Sequence, residues 1–535
     1  MEYLYPAALL SVFFYKEGRF CMSTPGLKQV WEGVKFASVV ASSKAIGLVD
    51  KELGKRYLVE TLAGIPGMTA KTSQLLSMKL GVEQVNKPTK PQLNLEEVKA
   101  IIRGESPILF EDIDEISEDA EAASIGQVHR AKLKNGDDIA IKVQYPHIEE
   151  DIKSQINLLF KAASAGGPAK LYGLDIDSYD EYFSEAFEKE TNYLIEADFQ
   201  KSLKERIPDD IPVVIPKIYM EYSTRKLLVQ SYESSVPLSL VRQFWPLKEK
   251  QKCARVLTHS LFYMIFKLGQ IQTDFHPGNF GFRVSSTDSS SVELVLYDYG
   301  SHMQLSGNDR KLLVSLAHSY RCDEDIDLFN YFCSLGFEPE KLSHIAHLLP
   351  AVCSKIFSPL ALDGGVNLND WNLDKHFENI LGVDKWWFRT AGAPWFLMMM
   401  RTVQGWGHAM RSLDCICPIS WIYRDLPLSE TDRNPEVRDF AQYLSHENKN
   451  VSLKSGCAKF LNVLVKEGDK EIVSLKLPAK AVDELENILP DTAREKIVAE
   501  YDLDELKTSV QKKGYVAMDV FKIESGTRHY HVWLS

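Results

Sequence analysis

The sequence contains an aspartate and an asparagine at a spacing used in phosphoryl transfer. Asp274 and Asn279 stand five positions apart in Asp-Phe-His-Pro-Gly-Asn, as in the catalytic loop of kinases. In that loop the aspartate orients the attacking hydroxyl and the asparagine oxygen binds a divalent ion. Asp298 opens Asp-Tyr-Gly directly after a predicted apolar strand at 292–297, where kinases place the aspartate that holds the metal. Such oxygen ligands suit Mg²⁺.

A lysine in a strand-like segment is the candidate cation for the phosphates. Lys142 stands in Ile-Ala-Ile-Lys-Val, where kinases carry the lysine that pairs with the α and β phosphates. The alternative is a surface lysine on a strand, which its apolar neighbours and the downstream motifs disfavour. Glu190 and Glu196 are candidates for an ion pair with Lys142 or for a further metal contact. Their alternative is a solvated helix face, and spacing does not decide between them.

The elements that must position these residues follow from hydrophobic periodicity. Alternation at 123–134 and 137–145 flanks Asn135-Gly136, a strong hairpin signal. Further predicted elements are helices at 94–103, 147–163 and 178–206, strands at 217–222 and 226–232, and mainly helices over 248–411 with a loop at 272–305. This order is typical of a kinase-type small lobe followed by a helical large lobe.

Alternation returns near the end of the sequence. The alternating segments are 458–466, 470–477, 515–523 and 528–534, with helical spacing over 479–501. The predicted fold class is α+β, a protein-kinase-like two-lobed fold with an N-terminal helical extension and a small α+β C-terminal appendage. The predicted domains are 1–105 for the extension, 106–236 for the small lobe, 237–445 for the large lobe and 456–535 for the appendage.

Bulk composition excludes several classes of protein. The 535 residues are 45% hydrophobic and 25% charged, which is typical of globular chains. The net charge of -12 argues against a nucleic-acid partner, because such proteins neutralise phosphates with excess basic residues. Eight cysteines without a CxxC pair predict reduced thiols of an intracellular protein.

Two apolar features bear on membranes. The run 3–14 is too short to cross a bilayer, which needs about 20 residues, and no basic residue precedes it as in a signal peptide. The aromatic cluster Trp386-Trp387-Phe388 with Trp395-Phe396 has two interpretations, an interfacial membrane patch or core side chains. The core interpretation is the more common one.

Five motifs stand in the order in which one family of atypical kinases carries them. They are Ala122-Ala-Ser-Ile-Gly-Gln-Val-His129, Lys142-Val-Gln-Tyr-Pro146, the Glu-x-x-Tyr-x-x-Glu-Ala run at 190–197, Asp274-x-His-Pro-Gly-Asn279 and Asp298-Tyr-Gly300. On these motifs the sequence resembles the UbiB (aarF-domain) family from about residue 62 to 337, and more weakly to about 413.

The resemblance implies a kinase-like fold that binds ATP or ADP with Mg²⁺. In the family an N-terminal Lys-x-Gly-Gln motif packs over the active site and blocks protein substrates. By position Lys71 and Gln74 would be this catalytic-site pair, Lys142 the nucleotide-contacting lysine, Asp274 the catalytic aspartate, and Asn279 and Asp298 the metal ligands. The implied cofactor-binding residues are Ala122, Ala123, Ser124, Ile125, Gly126, Gln127, Val128, Lys142, Glu190 and Glu196.

Three positions depart from the patterns of kinases and of this family. The segment 121–129 has one glycine, Gly126, where typical kinases have three, so we expect binding with an altered transfer geometry. Ser73 replaces a glycine and Asn192 an aspartate of the family, which indicates a divergent branch. The family is linked to ubiquinone and other isoprenoid lipids, often in mitochondria or plastids, so a lipid or membrane surface and a mitochondrial location are implied.

Two functions from different classes stay open. The first is a catalytically competent ATPase, or a small-molecule or lipid kinase, favoured because Lys142, Asp274, Asn279 and Asp298 are all present. The second is a pseudokinase whose nucleotide binding switches an interaction surface, with the appendage docking a protein partner. A conventional protein kinase is disfavoured because no Ala-Pro-Glu anchor follows Gly300. Aminoglycoside-type and choline-type kinases share the Asp-x-His-x-x-Asn loop, but not the alanine-rich loop.

Overall fold

The computed structural model describes most of the chain from residue 91 onward. The described residues are 91–535 without 124, 147, 149–187, 190, 286–287, 289, 323, 363–364, 372, 385–386, 389–390, 445–457, 459, 469, 486–500, 513–517 and 526–527. The predicted helix at 147–163, apart from Ile148, and the apolar run 3–14 therefore lie outside the described residues.

The described chain is an α+β structure, as the sequence predicts. The strands are β1 Ile113–Ala122, β2 Gly126–Leu133, β3 Asp138–Gln144, β4 Val213–Val214, β5 Leu227–Ser231, β6 Val236–Pro237, β7 Gln270–Gln272, β8 Phe280–Val284, β9 Val292–Leu296, β10 His302–Gln304, β11 Phe460–Glu467, β12 Lys470–Pro478, β13 Met518–Ser525 and β14 Arg528–Leu534. They form sheets in the orders β1-β2-β3-β5, β4-β9-β8-β6, β10-β7 and β12-β11-β14-β13.

Helices separate the sheets along the chain. They are α1 Leu95–Glu105, α2 Pro107–Asp112, α3 Tyr193–Arg206, α4 Leu238–Phe244, α5 Leu247–Phe262, α6 Gly307–Cys322, α7 Leu328–Ser334, α8 Pro339–Ser343, α9 Leu349–Phe357, α10 Leu373–Leu381, α11 Pro394–Leu413, α12 Ile419–Arg424 and α13 Leu503–Lys512. None of the helices in the described ranges is long and apolar enough to cross a bilayer.

The chain divides into two compact units. The larger contains Lys99–Ser117, His129–Lys142 and Ala186–Ser535, and the smaller contains Met1–Val98, Glu118–Val128 and Val143–Glu185. The catalytic-loop motif, Lys142 and Asp298 all belong to the larger unit. The domain boundaries predicted from sequence remain predictions.

The β2–β3 hairpin forms where the sequence predicts it. Gly136 has a φ of +93°, a conformation that glycine adopts without steric cost. The Asn135 side chain accepts a hydrogen bond of 2.9 Å from the backbone N–H of Asp137, which fixes the turn locally. β3 is buried along nearly its whole length, so it places Lys142 in an apolar strand.

Several predicted elements differ from the structure. β1 is missed because its sequence is rich in acidic residues, which are depleted in strands. The helix predicted over 178–206 is interrupted at Asn192, whose side chain caps α3 by accepting from the N–H of Leu194. The strand predicted at 217–222 is reduced to one bridge, Ile218 to Gln230. β9 forms where the sequence predicts an apolar strand at 292–297, whereas β8 and β10 lie in the segment predicted as loop at 272–305.

The helical part of the larger unit has one extensive apolar core. Phe388 and Phe396 are each 4% exposed within it, and Trp387 stacks on His344 with ring centroids 4.1 Å apart. For these members of the aromatic cluster the core interpretation is confirmed, and Trp386 lies outside the described residues. The six cysteines in the described part of the chain are free thiols.

The C-terminal strands have a separate core. β11 pairs with both β12 and β14, and Leu461, Val463 and Val465 alternate into a buried cluster with Val532. The strand segments predicted here are confirmed to within three residues at each end. α13 lies C-terminal to the predicted helical segment 479–501, of which residues 486–500 lie outside the described residues.

Asp432 stabilises the turn that packs against α6. Its carboxylate accepts hydrogen bonds from Ser429 and pairs with Arg310 at 2.6 Å. Burial raises its pKa, but the bonds from Ser429 and Arg310 outweigh burial and hold the pKa well below its usual range. We expect Asp432→Ala to lower the free energy of unfolding by about 3 kcal/mol at pH 7.

A depressed carboxyl pKa stabilises the fold above the unfolded-state pKa of about 4 and loses this effect as pH falls below it. Denaturant unfolding should therefore show the difference between wild type and Asp432→Ala shrinking from pH 4 downward. Asp425→Ala removes an exposed partner of Arg424 and should cost at most about 1 kcal/mol. Equal losses in the two variants would contradict the role given to Asp432.

Candidate active site

A short ladder brings the catalytic-loop motif beside the Asp-Tyr-Gly motif. β7 pairs antiparallel with β10, with Gln272 opposite His302, and the N–H of Thr273 donates to the carbonyl of Ser301 at 2.9 Å. Asp274 follows this ladder directly. The two motif-bearing loops therefore run side by side, although 24 residues separate Asp274 from Asp298.

The β8–β9 hairpin brings the two candidate metal ligands to one end. Phe280 lies opposite Leu296, and the N–H of Tyr297 donates to the carbonyl of Asn279 at 3.0 Å. Asn279 precedes β8 and Asp298 follows β9, so both stand at the same end of the hairpin. The Nδ2 of Asn279 donates to the carbonyl of Asp274 at 2.9 Å, which leaves the side-chain oxygen for another partner.

Lys142 lies between two carboxylates. Its Nζ donates to Glu196 Oε1 at 2.5 Å and to Asp298 Oδ1 at 2.8 Å. The side chains of Lys142 and Glu196 are 8% and 3% exposed, and that of Asp298 is 39% exposed. Glu196 also accepts from the N–H of Tyr299 at 3.1 Å. The structure thus joins Lys142, Glu196 and Asp298 into one cluster.

The cluster keeps the lysine charged. Burial alone lowers the pKa of Lys142, because it disfavours the charged form. The carboxylates of Asp298 and Glu196 outweigh burial, and the pKa lies well above its ordinary value. A fixed ammonium is therefore present at neutral pH in a largely water-excluded place, where its attraction for anions is strongest.

Helix α3 positions Glu196. Asn192 caps the first turn of α3, and Glu196 lies in that turn, where the helix dipole favours a negative charge. Three residues on, Phe199 stacks on His302 with ring centroids 4.1 Å apart, which ties α3 to β10. Of the two candidate glutamates, the structure places Glu196 on Lys142, and Glu190 lies outside the described residues.

Asp274 is held by groups that the sequence analysis did not identify. Arg401 Nη2 donates to Asp274 Oδ1 at 2.5 Å. Gln272 Nε2 donates to the carbonyls of Asp274 at 3.1 Å and Asp298 at 2.9 Å, and so fastens the two loops together. Gln272 stands two residues before Asp274 and could have been noticed, whereas Arg401 is 127 residues away and no motif marks it.

The alanine-rich segment belongs to the smaller unit. The N–H of Ala123 donates to the carbonyl of Gly126 at 2.8 Å, and that of Tyr145 to Ile125 at 3.0 Å. The buried Gln127 side chain accepts from the N–H of Leu93 at 2.9 Å and donates to its carbonyl at 3.0 Å. The Gln127 side chain therefore holds the segment before α1 in place. The family resemblance assigns Gln127 to nucleotide binding and does not predict this structural contact.

Gly126 is required by a close backbone approach. A Cβ at this position would lie 2.2 Å from the carbonyl oxygen of Val143. We expect Gly126→Ala to lower the free energy of unfolding by about 1–3 kcal/mol, since backbone must shift to admit the methyl group. Gly104→Ala, whose Cβ would meet nothing within 4 Å in helix α1, should instead add up to about 1 kcal/mol. Thermal unfolding compares the stabilities of the two variants. Equal stabilities would show that the backbone at Val143 can move away from the added methyl group without cost.

Part of the predicted site lies outside the described residues. This applies to Lys71, Ser73, Gln74, Ser124 and Glu190. The assignments made for them from family resemblance stay predictions, as do the nucleotide contacts of Ala122, Ala123, Ile125 and Val128.

Comparison with known proteins gives the family of this site. Residues 89–326 match the ABC1 atypical kinase-like domain, and this range includes Lys142, Glu196, Asp274, Asn279 and Asp298. This part of the chain is an ABC1 atypical kinase-like domain. The recognition made from the five motifs is confirmed, and the α+β fold around Lys142 and Asp298 is kinase-like.

Curated proteins, two of them named atypical kinases, are similar to part of the chain. The mitochondrial atypical kinase coq-8 of Caenorhabditis elegans is 26% identical over 298 residues, which cover 52% of this chain and 38% of that protein. The mitochondrial atypical kinase COQ8B of Rattus norvegicus is 28% identical over 270 residues, 47% of this chain and 48% of the relative. ACTIVITY OF BC1 COMPLEX KINASE 8 of Arabidopsis thaliana, named chloroplastic, is 30% identical over 213 residues, 38% of this chain and 27% of the relative.

The similarity does not extend over whole proteins. The alignments span between 27% and 48% of the length of these three curated relatives. A solved Mycobacterium tuberculosis structure in complex with erythromycin aligns over 74% of this chain and 100% of that one, at 19% identity and a TM-score of 0.49. That likeness carries no argument about function.

Proposed function

We propose that the chain binds Mg-nucleotide and transfers its terminal phosphate to water, a small molecule or a lipid. The observation that carries the proposal is the position of Lys142, whose ammonium is held by Glu196 and by the more exposed Asp298. Phosphoryl transfer requires a fixed cation for the phosphates, metal ligands and a group that orients the acceptor. Residues of the types that can supply all three lie in this cluster and in the loops beside it.

The residues present fit a magnesium ion. Asp298 and Asn279 stand at the same end of the β8–β9 hairpin, and both offer hard oxygen atoms. The Asn279 side chain donates through its nitrogen to the carbonyl of Asp274. Its side-chain oxygen points away from that carbonyl and can serve as a metal ligand. Asp298 is the cluster's most exposed carboxylate. Asp298 and Asn279 would hold Mg²⁺ there, and the ion would supply positive charge beside the phosphates.

The chain's own residues supply the remaining steps. Lys142 attracts the phosphate oxygens, and Glu196 keeps the lysine oriented while its other bond reaches the N–H of Tyr299. Asp274 orients the attacking hydroxyl or water through a hydrogen bond. Gln272 keeps the backbones of Asp274 and Asp298 at a fixed separation, so the acceptor and the metal ligand retain their relative position.

A lipid or isoprenoid-quinone precursor is the acceptor class that the family resemblance favours. The Lys71 and Gln74 pair, carried over from the family's motif, would exclude protein substrates. The named relatives from Caenorhabditis elegans and Rattus norvegicus are mitochondrial and that from Arabidopsis thaliana chloroplastic. A mitochondrial location and a membrane surface as partner belong to the same proposal.

A second candidate function is a pseudokinase in which nucleotide binding switches an interaction. The observation that favours it is the ion pair between Arg401 and Asp274, which occupies one oxygen of the catalytic aspartate. In this reading the pair holds Asp274 away from any acceptor, and the C-terminal appendage docks the partner.

Phosphate release from ATP by the purified chain tests the proposal. Wild type should release phosphate with Mg²⁺ and not with EDTA, and Lys142→Met should release it at least about 100-fold more slowly. Lys476→Met, which removes a lysine over the ring of Phe460 in the appendage, is the matched control and should behave as wild type. Nucleotide binding without release would support the pseudokinase.

A further inference from the structure

Helix α11 lies against the loop that carries Asp274. This helix, Pro394–Leu413, falls beyond the segment 89–326 that matches the family domain. Three of its residues, Arg401, Thr402 and Gly405, contact successive residues of the loop, so the contact is a surface and not a single bond.

The first contact is made by the side chain of Arg401. Its Nη2 donates to Asp274 Oδ1 at 2.5 Å, and the two side chains are 14% and 16% exposed. The Nη1 of Arg401 is buried and makes no hydrogen bond within the part of the chain that is described. Asp274 is therefore the group that orients this guanidinium, and a largely buried charge pair of this kind is sensitive to the loss of either partner.

The other two contacts bring α11 close to the backbone of the loop. Thr402 is fully buried, and its hydroxyl lies 3.3 Å from the carbonyl oxygen of Thr273 and 3.2 Å from that of Met398, so the two carbonyls share its proton. A Cβ at Gly405 would lie 2.3 Å from the carbonyl oxygen of Phe275, so glycine permits the approach. Residues on both sides of Asp274 are thus in contact with α11.

We propose that Arg401 is a positioning residue for Asp274 and that α11 clamps the catalytic loop. The inference rests on the proposed function, since it assigns a role within the same site. Arg401 holds Oδ1 of Asp274. Oδ2 accepts no hydrogen bond within the described ranges, and we assign it to the hydroxyl or water that accepts the phosphoryl group. Transfer of a phosphoryl group depends on orientation more than on a strong base, and a carboxylate fixed by a packed helix supplies that orientation.

The pseudokinase reading predicts a change of ATP turnover in the opposite direction. If Arg401 locked Asp274 away from the acceptor, as the pseudokinase reading requires, its removal would raise turnover. If Arg401 positions Asp274, its removal lowers turnover and leaves nucleotide affinity unchanged, because the phosphates are bound by Lys142 and the metal ligands.

The experiment compares steady-state ATP turnover and Mg-ATP affinity in wild type, Arg401→Met, Arg401→Lys and Gly405→Ala. Arg401→Met should lower kcat about 10- to 100-fold, the usual cost of losing a group that orients a catalytic residue, with the dissociation constant changed by less than about twofold. Arg401→Lys should recover part of the loss. Gly405→Ala retains Arg401 but should lower kcat, because the added methyl group forces α11 away from the carbonyl of Phe275. Alanine favours helix formation more than glycine does, so a loss of kcat would not come from a weaker helix. Arg424→Gln, which breaks an exposed pair with Asp425, should leave both constants unchanged.

Thermal unfolding of each variant separates a folding defect from a kinetic one. An unchanged or raised kcat in Arg401→Met, in a chain whose wild type turns ATP over, overturns the inference and leaves the proposed function standing. A parallel rise of the dissociation constant in Arg401→Met would assign Arg401 to binding instead, and also overturns the inference. Absence of turnover in the wild type overturns the proposed function, and the role of Arg401 with it.

Discussion

Asp298→Asn is expected to reduce Mg²⁺-dependent ATP turnover about a thousandfold or more. The substitution removes the carboxylate charge that a divalent ion requires, and it also removes one of the two carboxylates that hold Lys142. Asparagine has nearly the same shape, so the loops around it can remain folded. Phosphate release under saturating nucleotide measures the effect, and thermal unfolding reports whether the chain is intact.

The same hairpin offers a matched control for this substitution. Asp288 stands in the exposed turn between β8 and β9, where it accepts hydrogen bonds from Ser290. Asp288→Asn removes an equal charge at the opposite end of the hairpin and should leave turnover within about twofold of wild type. Retained turnover in Asp298→Asn would show that Asp298 does not hold the metal ion. The ion pairs of the Lys142 cluster would then have only a structural role.

Glu196→Ala is expected to lower the free energy of unfolding by about 3 kcal/mol. Glu196 is 3% exposed and accepts from both Lys142 and the N–H of Tyr299. Its truncation leaves a buried ammonium with one carboxylate fewer and a buried N–H without its acceptor, and both are costly. Equilibrium unfolding in urea, in the absence of nucleotide, measures this effect apart from catalysis.

Two variants separate the charge of Glu196 from its packing. Glu196→Gln retains an acceptor for Tyr299 but loses the charge, so it should lie between wild type and the alanine variant. Glu188→Ala breaks an exposed pair with Arg225 and should cost no more than about 1 kcal/mol. If Glu188→Ala and Glu196→Ala proved equally mild, the cluster would not depend on Glu196.

The catalytic elements were predictable because their signals are local. The five-residue spacing of Asp274 and Asn279, the strand before Asp298 and the turn at Asn135-Gly136 each lie within a short stretch of sequence. Local backbone rules then fix the geometry: the β8–β9 hairpin forces Asn279 and Asp298 to one end. The same rules do not rank Glu190 against Glu196, because both fall in a segment of helical spacing.

What the sequence could not indicate depends on tertiary contacts. Arg401 reaches Asp274 across 127 residues, and one arginine in a helix resembles any other until the helix is packed. β1 forms although its residues are largely acidic, because pairing with β2 overrides the low strand propensity. Asn192, which stands where the family carries an aspartate, caps α3 through its side chain in the structure and thereby orients Glu196.

The most direct test is calorimetric titration of the purified wild-type chain with ATP, with and without Mg²⁺, beside Asp298→Asn. The account predicts saturable binding at one site per chain that requires Mg²⁺ and is lost in the variant. A bound nucleotide at 100 times its dissociation constant should also stabilise the fold by about 2.7 kcal/mol. Binding that is indifferent to Mg²⁺ and to Asp298, or no binding at all, would contradict the assignment of Lys142, Asn279 and Asp298 to a Mg-nucleotide site.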